Sequence, residues 1–546
     1  MKIHNLATGV LMMLCGSVWA QNQQDYSSNA RLSERISALT KAYPNLATAK
    51  TLIETEGGNK VWMLTLGTGK TSEKQAIAVV GGVEGTHLLG VEMAIGFAEQ
   101  LLASKVDSVK KLLDKHTFYV FPNMSPDATA QYFAKLKFER SGNARPTDDD
   151  RDGKMNEDGF EDLNGDNKIS WIRVVDPTGK YKLNPDDART LVLADPTKGD
   201  TGKYLLFREG IDNDKDGSFN EDGEGGIHFN KNFSYNYKNF GPGAGEYAVS
   251  EKENRALLDE MFELFNVYAV VTFGPMNNLS TPVTFNPSAL SKRIITGWYD
   301  ADVKANALVS ERYNKITGYK DAPRTQAENG DFSQWAYFHY GRLSLSTPGW
   351  WVPKVKPDAE KNEKAFTNDN LGAAYLRWAA SNNIQGTFVE WKKVNHPDFP
   401  GQEVEVGGID PFVMNNPPYS MVNDIVSKHT NFMVELANMA PKIDLVALKT
   451  EKVGEGLTRV TVKVMNAGTL PTLSKVGERS YFLKKVAVKA TVSNNQTIIS
   501  GKKAETLDGI PGKGYVELSW LVRGSGKFAI QAGSPSSGSK SIEVNL

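Results

Sequence analysis

Two groups of residues in this chain have types and spacings that do chemistry. The first is Gly81-Gly82-Val83-Glu84-Gly85-Thr86-His87, which sets a carboxylate and an imidazole three residues apart. At the carboxyl end of a strand in an open α/β sheet, where ligands bind, Glu84 and His87 form a candidate metal or acid/base pair. The purely structural alternative has Glu84 favouring the positive helix N-terminus and His87 filling the first turn.

The second group is an internal repeat. Asp148-x-Asp150-x-Asp152-Gly153-x-x-Asn156-Glu157-Asp158 recurs as Asp212-x-Asp214-x-Asp216-Gly217-x-x-Asn220-Glu221-Asp222, with Asp162-Leu163-Asn164-Gly165-Asp166 between the copies. Alternating carboxylates around a sixth-place Gly wrap oxygen ligands about a hard cation, as in a calcium loop, and Asn156 and Asn220 hold the ninth place. The twelfth place is Gly159 or Gly223, so Asp158 and Asp222 are the candidate substitutes for the usual Glu. Calcium would order a long insertion that has little apolar content of its own. Solvated acidic turns capped by Asx hydrogen bonds are the alternative.

The elements that position these groups read as alternating strands and helices. The apolar run Ala76 to Val80 predicts a buried strand, Leu88 to Leu102 a helix, Thr117 to Phe121 and Val267 to Phe273 further strands, and Ser250 to Leu264 and Leu371 to Ala380 further helices. A helix Ala30 to Tyr43 and strands Ala47 to Thr55 and Lys60 to Leu66 precede them. Strand Thr387 to Glu390 is expected to complete the large domain, with Trp391 to Pro418 as a Pro/Gly-rich excursion and a helix from about Met421 to Ala437 after it. This pattern predicts an α/β fold, a mixed sheet with helices on both faces. From Lys442 the residues alternate apolar and polar in short strands, which predicts a C-terminal all-β immunoglobulin-like sandwich. The expected divisions are 1–20 leader, 21–440 α/β domain containing the acidic insertion 148–222, and 441–546 sandwich.

The leader reading rests on Met1-Lys2, the apolar stretch Leu6 to Ala20 and the small-residue pattern Val18-Trp19-Ala20, with cleavage after Ala20 and a secreted or periplasmic product. It is too short for a membrane span. Cys15 is the single cysteine and lies in this leader, so any metal site must use His, carboxylate or carbonyl ligands. A formal net charge of -1 gives no reason to expect nucleic acid or an anionic membrane as the main partner. The sequence leaves the oligomeric state open.

Between Ala30 and Ser420 the chain resembles the zinc carboxypeptidase family, the carboxypeptidase A-like metallopeptidases. The resemblance is carried by Arg140-Ser141-Gly142-Asn143-Ala144-Arg145-Pro146-Thr147 running into the acidic loops and Trp171-Ile172-Arg173, which look like the aspartate-rich insertion of a secreted bacterial branch. Asn230-Lys231-Asn232-Phe233 and Phe388-Val389-Glu390-Trp391 with Asn395-His396-Pro397 resemble later segments of that branch. The resemblance implies a peptide ligand and a zinc held by His-x-x-Glu and a distant His, with a Glu base, an oxyanion arginine and an Asn-Arg carboxylate grip.

Against that pattern the chain departs at each step. The family's His and Glu read Glu84 and His87, the distant His reads Gly274 at the end of Val267 to Phe273, and the base aligns with Gly349. The grip retains Asn230 and has Lys231 for Arg, which keeps charge and loses the bidentate fork. Arg140 or Arg145 is the candidate oxyanion arginine, Glu390 a candidate displaced base, and His228, with His339 and His396 behind it, the candidate third ligand of a rewired zinc site. Three functions follow: a degenerate-site protein binding peptides or carboxylate-bearing ligands, a metallocarboxypeptidase with a reorganised zinc site, or a cell-surface structural or adhesion protein.

Overall fold

The computed structural model describes residues 25–148, 152–220, 223, 225–325, 327–354 and 371–546. The expected leader with Cys15, and Asp150 and Asp222 of the acidic loops, lie outside the described residues.

The strands are β1 (Ala47–Glu54), β2 (Lys60–Leu66), β3 (Gln75–Val80), β4 (His116–Phe121), β5 (Trp171–Val175), β6 (Tyr181–Leu183), β7 (Leu191–Leu193), β8 (Tyr204–Arg208), β9 (Val267–Phe273), β10 (Leu343–Thr347), β11 (Phe388–Val394) and β12 (Val404–Ile409). A first sheet of six strands has the order β1-β2-β4-β3-β9-β10. Strands β4, β3, β9 and β10 are parallel, and β2 joins β4 antiparallel. Side chains on a strand alternate between faces. Ile77 and Val79 enter the core under helices Leu88–Ala103 and Val422–Asn438, while Ala76, Ala78 and Val80 enter a second core under Lys252–Glu263 and Phe332–Phe338. Burial on both faces explains why β3 and β9 read as unbroken apolar runs. Helix Leu88–Ala103 is likewise buried nearly all round, as an apolar helix without a polar face must be.

The second sheet, β11-β12-β5-β8-β6-β7, departs from expectation. Trp391 to Pro418 is not an irregular excursion, because β11 extends to Val394 and β12 pairs with β5 of the acidic insertion. Ile172, Val174, Val404 and Val406 form its small core, which anchors an insertion that has no α-helix among its described residues.

The C-terminal region is all β, with β13 (Ile443–Gly454), β14 (Leu457–Asn466), β15 (Val486–Val492), β16 (Thr497–Ser500), β17 (Ala504–Leu507), β18 (Tyr515–Arg523), β19 (Lys527–Ser534) and β20 (Gly538–Asn545). Two antiparallel four-stranded sheets, β13-β14-β18-β16 and β17-β15-β19-β20, enclose Val460, Val462, Trp520, Phe528 and Ile530. The region docks at the strand-start edge of the first sheet. Gln75, which opens β3, donates to the Pro441 and Ser536 carbonyls, and the buried Arg342 just before β10 donates to Ser536 Oγ at 3.4 Å and the Phe265 carbonyl at 3.1 Å.

Candidate binding crevice

β3, β9 and β10 end side by side on the opposite edge. The chain leaves β3 toward β4 on one side and returns to β9 on the other, so the crevice above their carboxyl ends is a topological switch point, where α/β sheets bind ligands. A cavity of about 470 Å³ lies there, lined by Glu84 and His87 from the loop after β3, Pro275 after β9, and Pro348, Trp350 and Trp351 after β10. Asp321, Arg324, Lys354 and Met414 also line it. No residue of the C-terminal sheets does, in keeping with their docking on the far edge.

His87 is 5% exposed, and its Nε2 sits 3.0 Å from the Pro348 carbonyl. A carbonyl only accepts, so Nε2 carries the hydrogen and Nδ1 is left as an acceptor, which has no partner. Burial lowers the imidazole to about 4, against the smaller opposing effect of that hydrogen bond, so the ring is neutral at neutral pH. Burial raises the Glu84 carboxyl above the usual range, with Glu328 adding to the shift and the Ser141 hydroxyl and Lys231 opposing it. Glu84 Oε1 is buried and unpartnered. The third carboxylate of this stretch's neighbourhood, Glu92, is held in the core by Arg35 at 2.6 Å.

Neither of the positions that the resemblance aligns with the distant ligand and the base has room for a side chain as the chain is packed. A Cβ on Gly274 would stand 2.5 Å from Val83 Cγ2, and one on Gly349 would stand 2.2 Å from Met93 Sδ. Gly349 also has φ +74°, a conformation that L side chains rarely adopt. Among the described residues, the group of three His, Cys, Asp or Glu side chains whose ligand atoms converge is Asp212, Asp214 and Asp216, in the insertion. A zinc site needs three protein ligands and an open position. The described crevice residues therefore do not fit zinc.

The remaining residues singled out in the sequence are engaged elsewhere. His228 packs beneath Gly243, whose Cβ would meet the ring at 2.4 Å, and burial with Lys231 nearby lowers it to about 4. His339 Nδ1 meets Ser234 Oγ at 2.9 Å, and His396 Nε2 meets the Gly210 carbonyl at 2.9 Å. The Asn230 amide donates to Asp331 at 3.0 Å and accepts from the Phe332 N–H at 3.0 Å, fixing the start of helix Phe332–Phe338. Lys231 faces Glu328 at 3.5 Å. Arg140 donates to the carbonyls of Gly142 and Asn143 in its own loop, and Arg145 is divided between Glu251 at 3.0 Å and Glu246 at 2.6 Å. Glu390 is exposed on β11 in the second sheet and does not line the cavity.

Three acidic loops share one construction. The first Asp of each accepts the N–H five residues on: Gly153 to Asp148 at 3.1 Å, Asn167 to Asp162 at 2.7 Å, Gly217 to Asp212 at 3.0 Å. The donor residues have φ of 96°, 62° and 94°, which explains Gly or Asn at the sixth place. Asn156 and Asn220 also have positive φ. Asn164 Oδ1 and Asp166 Oδ1 accept the N–H groups of Asp166 and Lys168, and Asp152 is paired with Lys154 at 2.6 Å. Asp158 is fully buried and accepts from Asn213 N at 2.9 Å, Asn213 Nδ2 at 3.2 Å and Asn220 N at 2.5 Å. It ties the first loop to the third instead of closing its own.

The zinc carboxypeptidase family model matches residues 32–190, which include β3, the Glu84/His87 loop and the first two acidic loops. A domain of unknown function (DUF8731) matches residues 442–545. No curated protein matches the chain. Among solved structures, the chain is similar to thrombin activatable fibrinolysis inhibitor (12% identity, 76% of each chain covered, TM-score 0.39). It is similar also to carboxypeptidase A from Helicoverpa armigera (12% identity, covering 66% of this chain and 73% of that one, TM-score 0.35). A third is metallo-carboxypeptidase from Burkholderia cenocepacia (14% identity, covering 66% and 69%, TM-score 0.32).

Trp350, Trp351 and Arg324 of the crevice were not singled out from the sequence. Its one signal for them was the run Leu343 to Trp351, which ends a buried strand in two indoles.

Proposed function

We propose that this protein binds peptides in the crevice at the ends of β3, β9 and β10 without hydrolysing them by the zinc mechanism. The observation that carries this reading is the filling of both missing side-chain positions: Val83 stands over Gly274 and Met93 over Gly349. With no third ligand and no base beside the pair among the described residues, the crevice lacks the parts that would hold a zinc and activate its water. The switch-point cavity persists, and at about 470 Å³ it lies within the range of small-ligand pockets. The carboxylate grip expected of Asn230 and Lys231 is replaced by structural roles, since the amide holds a helix start and the ammonium faces Glu328. The protein is exported, with its first 20 residues removed. A panel of peptides varied at the C-terminus tests the reading, with the Glu84→Ala protein as control. Binding without release of C-terminal residues is expected, and release abolished by Glu84→Ala would establish the active, rewired enzyme instead.

A second reading concerns the insertion. The converging carboxylates of Asp212, Asp214 and Asp216, whose ligand atoms lie within 4.8 Å of one another, favour calcium as the ion that orders these loops. Calorimetric titration with calcium, repeated on Asp214→Asn, tests it: unchanged binding in the variant would rule out this loop as the site.

A further inference from the structure

The second sheet turns one face to its small core and carries on the other a cavity of about 200 Å³ that shares no lining residue with the crevice. Trp171 of β5 and Trp391 of β11 line it, with β12 running between their strands. At this level β12 has two glycines. Gly407 pairs with Trp171, and a Cβ on Gly408 would stand 3.2 Å from Trp171 Cδ1 and 3.7 Å from Trp391 Cη2, so the two indoles converge on one point. Gly408 has φ +112°, a conformation that keeps a side chain out of the gap.

Both indoles are half-buried, so each keeps surface open to solvent. The Arg208 guanidinium stands 4.3 Å from the Trp171 ring centre and that of Arg173 stands 4.2 Å from the Trp391 ring centre, yet neither arginine lines the cavity. The stacking that fixes the indoles on the sheet therefore lies outside the cavity, whose walls are ring surface that the guanidiniums leave uncovered. Among the described lining residues Arg189 alone is charged. Its pair with Asp187 is made through Nε at 3.0 Å and Nη2 at 2.6 Å, so Nη1 keeps its two hydrogens for a ligand, and the side chain is 45% exposed.

Indole faces are electron-rich and attract C–H groups, while a planar guanidinium donates to oxygens on a ring's rim. A ring with C–H faces and a hydroxyl rim satisfies both, whereas a wholly apolar ring leaves the Arg189 donors unused. The cavity is smaller than the about 300–1,000 Å³ of sites for drug-sized ligands, so it admits a single ring. We propose that it binds one pyranose ring of a saccharide, the C–H face against the Trp171 and Trp391 indoles and the hydroxyls accepting from Arg189. The site is separate from the peptide crevice, and neither reading depends on the other.

The test titrates the full chain with cellotetraose, chitotetraose and mannotetraose, and with N-acetyl-prolinamide as a small ring without hydroxyls, by tryptophan fluorescence and calorimetry. At least one tetrasaccharide binds more tightly than the prolinamide. Trp391→Leu, which keeps apolar bulk and deletes the ring, weakens that sugar about tenfold, the upper range for one aromatic contact. Arg189→Gln, at an exposed side chain, weakens it about fivefold, as expected for one lost hydrogen bond. Should Trp391→Leu change the circular dichroism, Arg189→Gln decides alone. Binding of no tetrasaccharide, prolinamide binding as tightly as the sugars, or sugar affinity unmoved by Arg189→Gln overturns the proposal. None of those results touches the absence of hydrolysis, which the peptide panel decides separately.

Discussion

The crevice and the acidic insertion are both places where carboxylates meet backbone at the end of a strand or turn, yet they are built in opposite ways. In the insertion, carboxylates are the scaffold: three loops are each held by an Asp receiving the N–H five residues on, and Asp158 ties two of them together. Without the acids the turns lose these bonds, and only the small core around Ile172 and Val174 remains to anchor the insertion. In the crevice, packing is the scaffold, and the polar groups are what is left over. Val83 packs against Gly274 and Met93 against Gly349, the positions that the resemblance aligns with a ligand and the base, while Glu84, His87 and Trp350 keep unpaired buried atoms. A site whose framework is apolar keeps its shape when its chemistry changes, whereas a site whose framework is its ligands cannot.

The largest effect that would sharpen this contrast is on the insertion. If calcium orders the loops, saturating ion at about 100 times its dissociation constant stabilises each site by about 2.7 kcal/mol. Chelation should therefore open the insertion to limited proteolysis while the first sheet stays protected. Cleavage that is indifferent to chelator would place the loops on hydrogen bonds alone.

Next in size is the attempt to rebuild the crevice. Gly274→His and Gly349→Glu restore the side chains that the resemblance assigns, and each forces a Cβ to within 2.5 Å or 2.2 Å of a packed neighbour. Overpacking of this kind costs about 1–3 kcal/mol, measured by denaturant unfolding. A variant as stable as the parent that also gains zinc would break the account of filled positions.

Glu253 lies beside the flanks of the insertion, since Asn143, which exchanges hydrogen bonds with Ile227 across those flanks, also donates its amide to Glu251 and Glu253. Burial first, then Asp127 and Glu251, push its carboxyl up to about 7. The folded state therefore binds a proton that the unfolded state has released between the ordinary carboxyl pKa and about 7, and stability falls as pH rises through that window. Glu253→Gln removes the penalty. The variant should gain on the parent by about 2 kcal/mol between pH 5 and pH 8, and a constant difference across that range would contradict the assignment.

The smallest effect is expected at Lys231→Arg. It restores the family residue at a partly exposed pair 3.5 Å apart, so stability changes by less than about 1 kcal/mol. Affinity for carboxylate-ended peptides should not rise, because Asn230 remains committed to Asp331 and Phe332. A marked rise would show that the old grip survives.

The first sheet was legible because its strands are buried on both faces: Ala76 to Val80 and Val267 to Phe273 announce themselves as apolar runs, and helix Leu88–Ala103 follows with one residue's difference at its end. The alternation expected from Lys442 onward is plainest in β15, where Val486, Val488 and Ala490 are buried and the residues between them exposed. The second sheet was not, because β6 and β7 are three residues each and half-exposed, and because β12 finds its partner β5 more than two hundred residues earlier. Helices Asp107–Lys115 and Asp300–Thr317 were missed because their charged faces dilute the apolar stripe. In the site, Glu84 and His87 were visible as a pair. The commitments of Asn230, Arg145 and Asp158 were not, since each is made to a residue distant in sequence: Asp331, Glu251 and Asn213.

The central claim is that the crevice holds no zinc, and the metal content of the purified full-length protein tests it most directly. After incubation with excess zinc and removal of loosely bound ion, elemental analysis should find well under one equivalent, unchanged by His87→Ala. Close to one equivalent in the parent, lost in His87→Ala, would contradict the account.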